Sequence, residues 1–135
     1  CGLLDFQDGV LGPAEYDLMS LLQDARRDLA PGLAAAMLAR YVAAVPASCG
    51  TPDEIRQRYY LLAAQRHTRL AGQFLRLHQR DGKPGYLKFM PRVMRQMQAA
   101  LRDAGLQDIA QMLDTHLPGW RNAGVPLSSA VEKET

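Results

Sequence analysis

The sequence CGLLDFQDGVLGPAEYDL, residues 1–18, joins a short apolar run to three aspartates. The run ends in Asp5, and a glycine-containing loop supplies a second carboxylate at Asp8. Gly12-Pro13 then opens a predicted helix that carries Asp17, because proline suits the first helical turn. We interpret the apolar run as a short strand with Asp5 at its end. A carboxylate in that position is typical of a metal-binding aspartate in phosphoryl-transfer enzymes. The alternative is that these aspartates only form turns or cap helices, where Asp is common.

Downstream of this stretch the hydrophobic spacing predicts helices. Their expected ranges are 13–29, 33–45, 52–80, 91–104 and 106–116, with a short helical turn over 86–90. The third helix has the clearest start, because Thr51, Pro52 and Glu54 form the pattern of a capping box. Its predicted buried stripe is Tyr59, Leu62, Ala63, Leu70, Phe74 and Leu77. The sequence therefore predicts a mainly α fold with a short β element at the N-terminus.

The composition favours a globular protein and argues against a nucleic-acid-binding or membrane-spanning one. The 135 residues, 47% hydrophobic and 22% charged, suit one globular domain or a piece of one. A net charge of +2, without a cluster of basic and aromatic residues, argues against a nucleic-acid partner. The longest apolar stretch is broken by Arg40 and Pro46, which argues against a membrane span. Cys1 and Cys49 lie far apart without a CxxC motif, so we expect a reduced, cytoplasmic protein.

The sequence also leads to predictions about the three histidines and about the two ends of the chain. His67, His78 and His116 lack zinc-ligand spacing and are predicted to be partly exposed helix residues. The chain has no initiator Met and opens in a strand-like run, so we interpret it as a C-terminal fragment. Residues 1–120 would form a partial lobe, and residues 121–135 a flexible tail.

Two blocks of the sequence resemble the aminoglycoside phosphotransferase family of kinases. The first block comprises Asp5-Phe-Gln-Asp8, Gly12-Pro13, Tyr16-Asp17-Leu18 and Ser20-Leu-Leu22. The second block comprises Ala64-Gln-Arg66, Asp81-Gly-Lys-Pro84, Tyr86-Leu87 and Pro91-Arg-Val93. Within the family, the chain is most similar to the bacterial anomeric N-acetylmuramate/N-acetylglucosamine kinases of cell-wall recycling. The resemblance covers roughly residues 2–118 and implies the helical C-terminal lobe of a protein-kinase-like fold.

The resemblance also implies roles for individual residues and the use of ATP with Mg²⁺. Asp5 matches the Mg²⁺-binding aspartate of the family, and Asp8 is a weaker candidate for the same ion. Asp17 matches a helix aspartate that braces the catalytic loop, although a first-turn acid is also favoured by the helix dipole alone. Gln65 and Arg66 lie in the segment that faces the sugar, where an arginine could hold a carboxylate. A solvated helix face is the competing interpretation of that pair.

Three functions remain open from the sequence. The first is a fragment of an ATP-dependent amino-sugar kinase, inactive alone because the nucleotide lobe and the catalytic loop would lie upstream. The second is an aminoglycoside or other small-molecule phosphotransferase, although the mixed charge and several arginines of these helices favour a neutral or anionic sugar over a polycationic drug. The third is a helical interaction module without catalytic ancestry.

Overall fold

The structure, a computed structural model, describes residues 11–122. Five α-helices follow one another along this part of the chain: α1 (Glu15–Leu22), α2 (Leu33–Ala44), α3 (Pro52–Gln79), α4 (Met90–Asp103) and α5 (Gln107–His116). Short 3₁₀ turns occupy Ala47–Cys49, Pro84–Phe89 and Trp120–Asn122. The predicted mainly α fold is confirmed, and residues 11–122 contain no strand. The predicted β element falls in residues 1–10, outside the described part of the chain.

Helix α3 is the long central element, and its start is the one that the sequence predicts. The Thr51 hydroxyl accepts a hydrogen bond from the Glu54 amide at 3.3 Å, and the Glu54 carboxylate accepts one from the Thr51 amide at 2.7 Å. This reciprocal pair satisfies two amides that a helix N-terminus leaves without partners. The helix packs most extensively against α4 and also contacts α1 and α2. It is therefore the central helix of the hydrophobic core.

Helix α1 is shorter than predicted, since it ends at Leu22 and not at Leu29. Gln23 leaves helical geometry, with φ −121° and ψ 38°. The chain then folds back, buries Ala25 and packs Leu29 against the core. Arg92 of α4 donates from Nη1 to the Ala25 carbonyl at 2.8 Å. The helical spacing of these apolar residues thus reflects contact with the core and not a continuous helix.

The remaining boundaries differ from prediction by a residue or two, which is the usual uncertainty of helix ends. Met90, Met94 and Met97 of α4 are buried, as expected for flexible side chains that fill a core. Tyr59 and Ala63 of the predicted α3 stripe are buried as well. Within residues 11–122, no helix has the length and apolar character required to cross a bilayer.

Candidate functional site

The proposed metal ligands Asp5 and Asp8 lie outside the described residues, so their geometry is not part of this structure. Within residues 11–122, no group of three or more His, Cys, Asp or Glu side chains is placed to hold a metal ion. The part of the candidate site that the structure describes is therefore the helix that follows these aspartates, α1, together with the face of α3 that it contacts.

Asp17 lies in the first turn of α1, and its side chain is exposed. In this position the negative charge is favourable to the positive end of the helix dipole. The bracing role that the resemblance implies for Asp17 stays a prediction, because the catalytic loop that it would brace is not among the described residues.

The buried acid of α1 is Glu15, which the sequence analysis did not single out. Only 2% of Glu15 is exposed, and its Oε1 accepts a hydrogen bond from Arg58 Nη2 at 2.7 Å. The same Arg58 nitrogen donates to the carbonyl of Cys49, which ties α3 to the turn before it. Burial by itself would raise the pKa of Glu15, but the hydrogen bonds and the charge of Arg58 hold the pKa below its usual value. Nothing in the sequence near Glu15 indicates a partner 43 residues away.

Gln65 and Arg66 are consecutive on α3 but lie on different sides of it. Arg66 Nη1 donates to the hydroxyl of Tyr16 on α1 at 3.0 Å. Gln65 is exposed and lines a largely apolar groove of about 560 Å³ between α3 and the α4–α5 region, with Leu61, Leu106 and Ile109. Successive residues of a helix point about 100° apart, which accounts for the separation. The structure therefore does not bring the two predicted substrate residues into one pocket.

A buried polar network adjoins Arg66. His67 has no exposed surface, and its Nε2 lies 2.7 Å from Gln23 Oε1. The amide nitrogen of Gln23 donates to the Tyr59 hydroxyl at 3.0 Å. In this orientation of the Gln23 side chain, its oxygen Oε1 accepts a hydrogen bond from His67. The neutral imidazole of His67 therefore carries its proton on Nε2. Burial, followed by the charge of Arg66, lowers the pKa of His67 from 6.5 to about 4. The prediction that His67 is a partly exposed helix residue was wrong, because its side chain has a polar partner inside the core.

Comparisons with known proteins agree with the resemblance seen in the sequence. The model of the phosphotransferase enzyme family matches residues 1–57. An N-acetylmuramate/N-acetylglucosamine kinase of Caulobacter vibrioides is 40% identical over 117 residues, which are 87% of this chain and 32% of that protein.

Two further proteins of the same name are similar over most of the chain. The one from Neisseria meningitidis serogroup B is 37% identical over 75% of this chain and 31% of its own length. The one from Pseudomonas aeruginosa is 36% identical over 83% of this chain and 35% of its own length. The chain thus spans about a third of the length of these curated relatives. No solved structure matches it at a significant level.

The aspartate-rich start lies within the segment that the family model matches, and the similarity to the three kinases extends over most of the chain. The chain is thus similar to the phosphotransferase enzyme family over residues 1–57, and to three kinases of one name over most of its length.

Proposed function

We propose that the chain is part of an ATP-dependent cytoplasmic kinase that phosphorylates the anomeric hydroxyl of N-acetylmuramate and N-acetylglucosamine. The observation that carries this proposal is the 40% identity to a kinase of that name over 87% of the chain. The similarity includes α4 and most of α3, which lie beyond residue 57, where the match to the family model ends. It therefore favours an amino-sugar kinase over the more general classes of phosphotransferase.

Asp5 is the residue that we assign to Mg²⁺, with Asp8 as a weaker second candidate. Carboxylate oxygens suit this ion, which prefers hard oxygen ligands. Bound Mg²⁺ would neutralise charge on the ATP phosphates. The described residues offer no competing metal cluster, and the assignment rests on the sequence pattern around Asp5.

Of the two residues proposed for the sugar, we favour Arg66. Its guanidinium is hydrogen-bonded to Tyr16 on α1, the helix that follows Asp5 and Asp8 in the chain. Gln65 lies in the groove on the other side of α3 and is the weaker candidate.

The test is a coupled ADP-release assay on the complete gene product that contains this chain. With ATP and Mg²⁺, we expect turnover with both amino sugars and none with kanamycin. Asp5→Asn should lower kcat by orders of magnitude, because a neutral amide is a poorer ligand for Mg²⁺, while Asp8→Asn should be milder. Turnover with kanamycin alone would favour the aminoglycoside alternative, and no turnover with any acceptor would reject the kinase assignment. The reverse ranking of the two substitutions would assign the metal to Asp8.

A further inference from the structure

Arg66 differs from the other two partly buried arginines of the described chain, because it has no acidic partner there. Arg58 is paired with Glu15, and Arg92 with Asp28. No carboxylate among residues 11–122 forms a salt bridge with Arg66. Its hydrogen bond to a described residue is the one from Nη1 to the Tyr16 hydroxyl, a neutral acceptor.

Among residues 11–122, the charge of Arg66 therefore has a neutral hydroxyl as its hydrogen-bond partner and no carboxylate. Its Nε is buried and makes no hydrogen bond within the described part of the chain. A partly buried cation that has lost solvent is stabilised by a nearby anion, and an unpaired buried donor is unfavourable. The adjacent His67 is buried and uncharged near neutral pH, so it does not compensate the guanidinium. An anionic group bound beside Arg66 would supply both the missing charge and the missing acceptor.

Tyr16 holds the guanidinium in place at the contact between α1 and α3. Its hydroxyl accepts the hydrogen bond from Nη1 at 3.0 Å, and its ring centroid lies 5.7 Å from Arg66 Cζ. This distance allows a cation–π interaction in addition to the hydrogen bond. Tyr16 therefore restricts the rotamers of a long side chain before any ligand binds, which lowers the entropic cost of binding.

We propose that Arg66, positioned by Tyr16, forms a subsite for the carboxylate of the acceptor sugar. N-acetylmuramate carries a lactyl ether with a carboxylate, whereas N-acetylglucosamine has a neutral hydroxyl at the same carbon. The subsite would then favour the first sugar over the second. The inference rests on the proposed function, since it concerns the acceptor of that same reaction. Arg66 contacts the substrate in this scheme, and Tyr16 is a positioning residue.

The experiment measures kcat and KM of the complete gene product for both sugars, in the wild type and in two variants. Arg66→Gln removes the charge, and Tyr16→Phe removes the hydroxyl while the ring stays. The matched controls are Arg76→Gln, an exposed arginine of the same helix, and Tyr60→Phe, a partly buried tyrosine of α3. Thermal melts of every variant check that the fold is kept.

Arg66→Gln should lower kcat/KM for N-acetylmuramate by about 10- to 100-fold, as expected when one charge-assisted hydrogen bond is lost. The value for N-acetylglucosamine should change by less than about threefold, within the range of a neutral surface change. Tyr16→Phe should show the same selectivity with a smaller loss, mainly in KM, because it disturbs only the position of Arg66. The two control variants should leave the ratio of kcat/KM for N-acetylmuramate to kcat/KM for N-acetylglucosamine unchanged.

Equal losses with both sugars would overturn the inference, because Arg66 would then contact a group common to both reactions, such as a phosphate of ATP or a carboxylate of the protein. The inference would also be overturned if the ratio of kcat/KM between the two sugars stayed unchanged in both Arg66→Gln and Tyr16→Phe. If Arg66→Gln does not fold, Tyr16→Phe decides by the same criterion. A wild type that phosphorylates neither sugar would reject the proposed function itself, which is a separate outcome from turnover without selectivity.

Discussion

His67 Nε2 lies 2.7 Å from Gln23 Oε1, so the centre of α3 is hydrogen-bonded to the first residue after α1. The contact joins residues 44 positions apart and places a histidine inside the core. A buried histidine gives the fold a defined response to pH.

The chain should lose stability as the pH falls from about 6.5 to about 4. In this window the unfolded state, with a histidine pKa of 6.5, binds a proton at position 67 that the folded state, with a pKa of about 4, does not. The free energy of unfolding should therefore fall by about 3 kcal/mol across the window, since each pKa unit corresponds to about 1.4 kcal/mol. Urea titrations at pH 7, 6, 5 and 4 measure the slope.

His67→Gln should flatten that slope, whereas His78→Gln, at an exposed position on the same helix, should keep it. A similar slope in both variants would show that other groups cause the acid sensitivity. Glu15, whose pKa is lowered, contributes a separate loss that begins only near its unfolded value of 4.5 and continues as the pH falls further.

Arg58→Met should destabilise the chain more than Glu15→Gln. Removing Arg58 leaves a carboxylate buried without its counter-charge, and removing Glu15 leaves an arginine whose side chain is 37% exposed and still hydrogen-bonded to Cys49. We expect about 2–4 kcal/mol for the first change and about half of that for the second. Thermal melts give the comparison. Arg56→Met, which breaks the exposed pair with Asp53, is the control and should cost less than about 0.5 kcal/mol. The opposite order would mean that Arg58, and not Glu15, is the group that needs its partner.

Asp17→Ala should have different effects in the 135-residue chain and in the complete gene product. In the shorter protein the exposed side chain of Asp17 contributes only the helix-dipole interaction, about 0.3–1 kcal/mol. If Asp17 braces a catalytic loop in the complete protein, its loss there leaves buried amides unpaired, at about 1–3 kcal/mol each, and lowers turnover. Thermal melts of each protein, with and without the substitution, measure the difference. Equal losses would identify Asp17 as an ordinary first-turn acid.

The 135-residue chain by itself should not phosphorylate either amino sugar. It spans about a third of the length of its curated relatives, and under the proposed function the nucleotide-binding lobe and the catalytic loop would belong to the remaining two thirds. The coupled ADP-release assay, run beside the complete gene product, checks this expectation. Sugar-dependent ADP release above the no-enzyme background would place the whole catalytic apparatus within these residues.

The sequence predicts best what local chemistry determines. The start of α3 follows from Thr51 and Glu54, which are three residues apart and satisfy each other's amides. The buried methionines of α4 follow from helical spacing. In both cases the residues that determine the structure are neighbours along the chain.

Prediction from the sequence fails where burial or the end of a helix depends on a residue far away along the chain. His67 is buried because Gln23 offers it an acceptor, and Glu15 is buried because Arg58 reaches it. The predicted end of α1 was wrong for a similar reason, since Arg92 of α4 hydrogen-bonds the non-helical turn at Ala25. Pairings across more than forty residues leave no local signal. For the candidate site, the sequence analysis proposed Arg66 as a sugar-binding residue but did not predict its hydrogen bond to Tyr16, which lies 50 residues away.

The separation of Gln65 and Arg66 makes α3 a partition between two environments. One side faces α1 through Arg66, and the other faces the apolar groove through Gln65. Because a helix turns as a rigid body, a rotation that draws Arg66 towards a ligand must also carry Gln65 along the wall of the groove. The packing of buried α3 residues such as Ala63 and His67 opposes such a rotation, so we expect a ligand on one side to leave the other side unchanged.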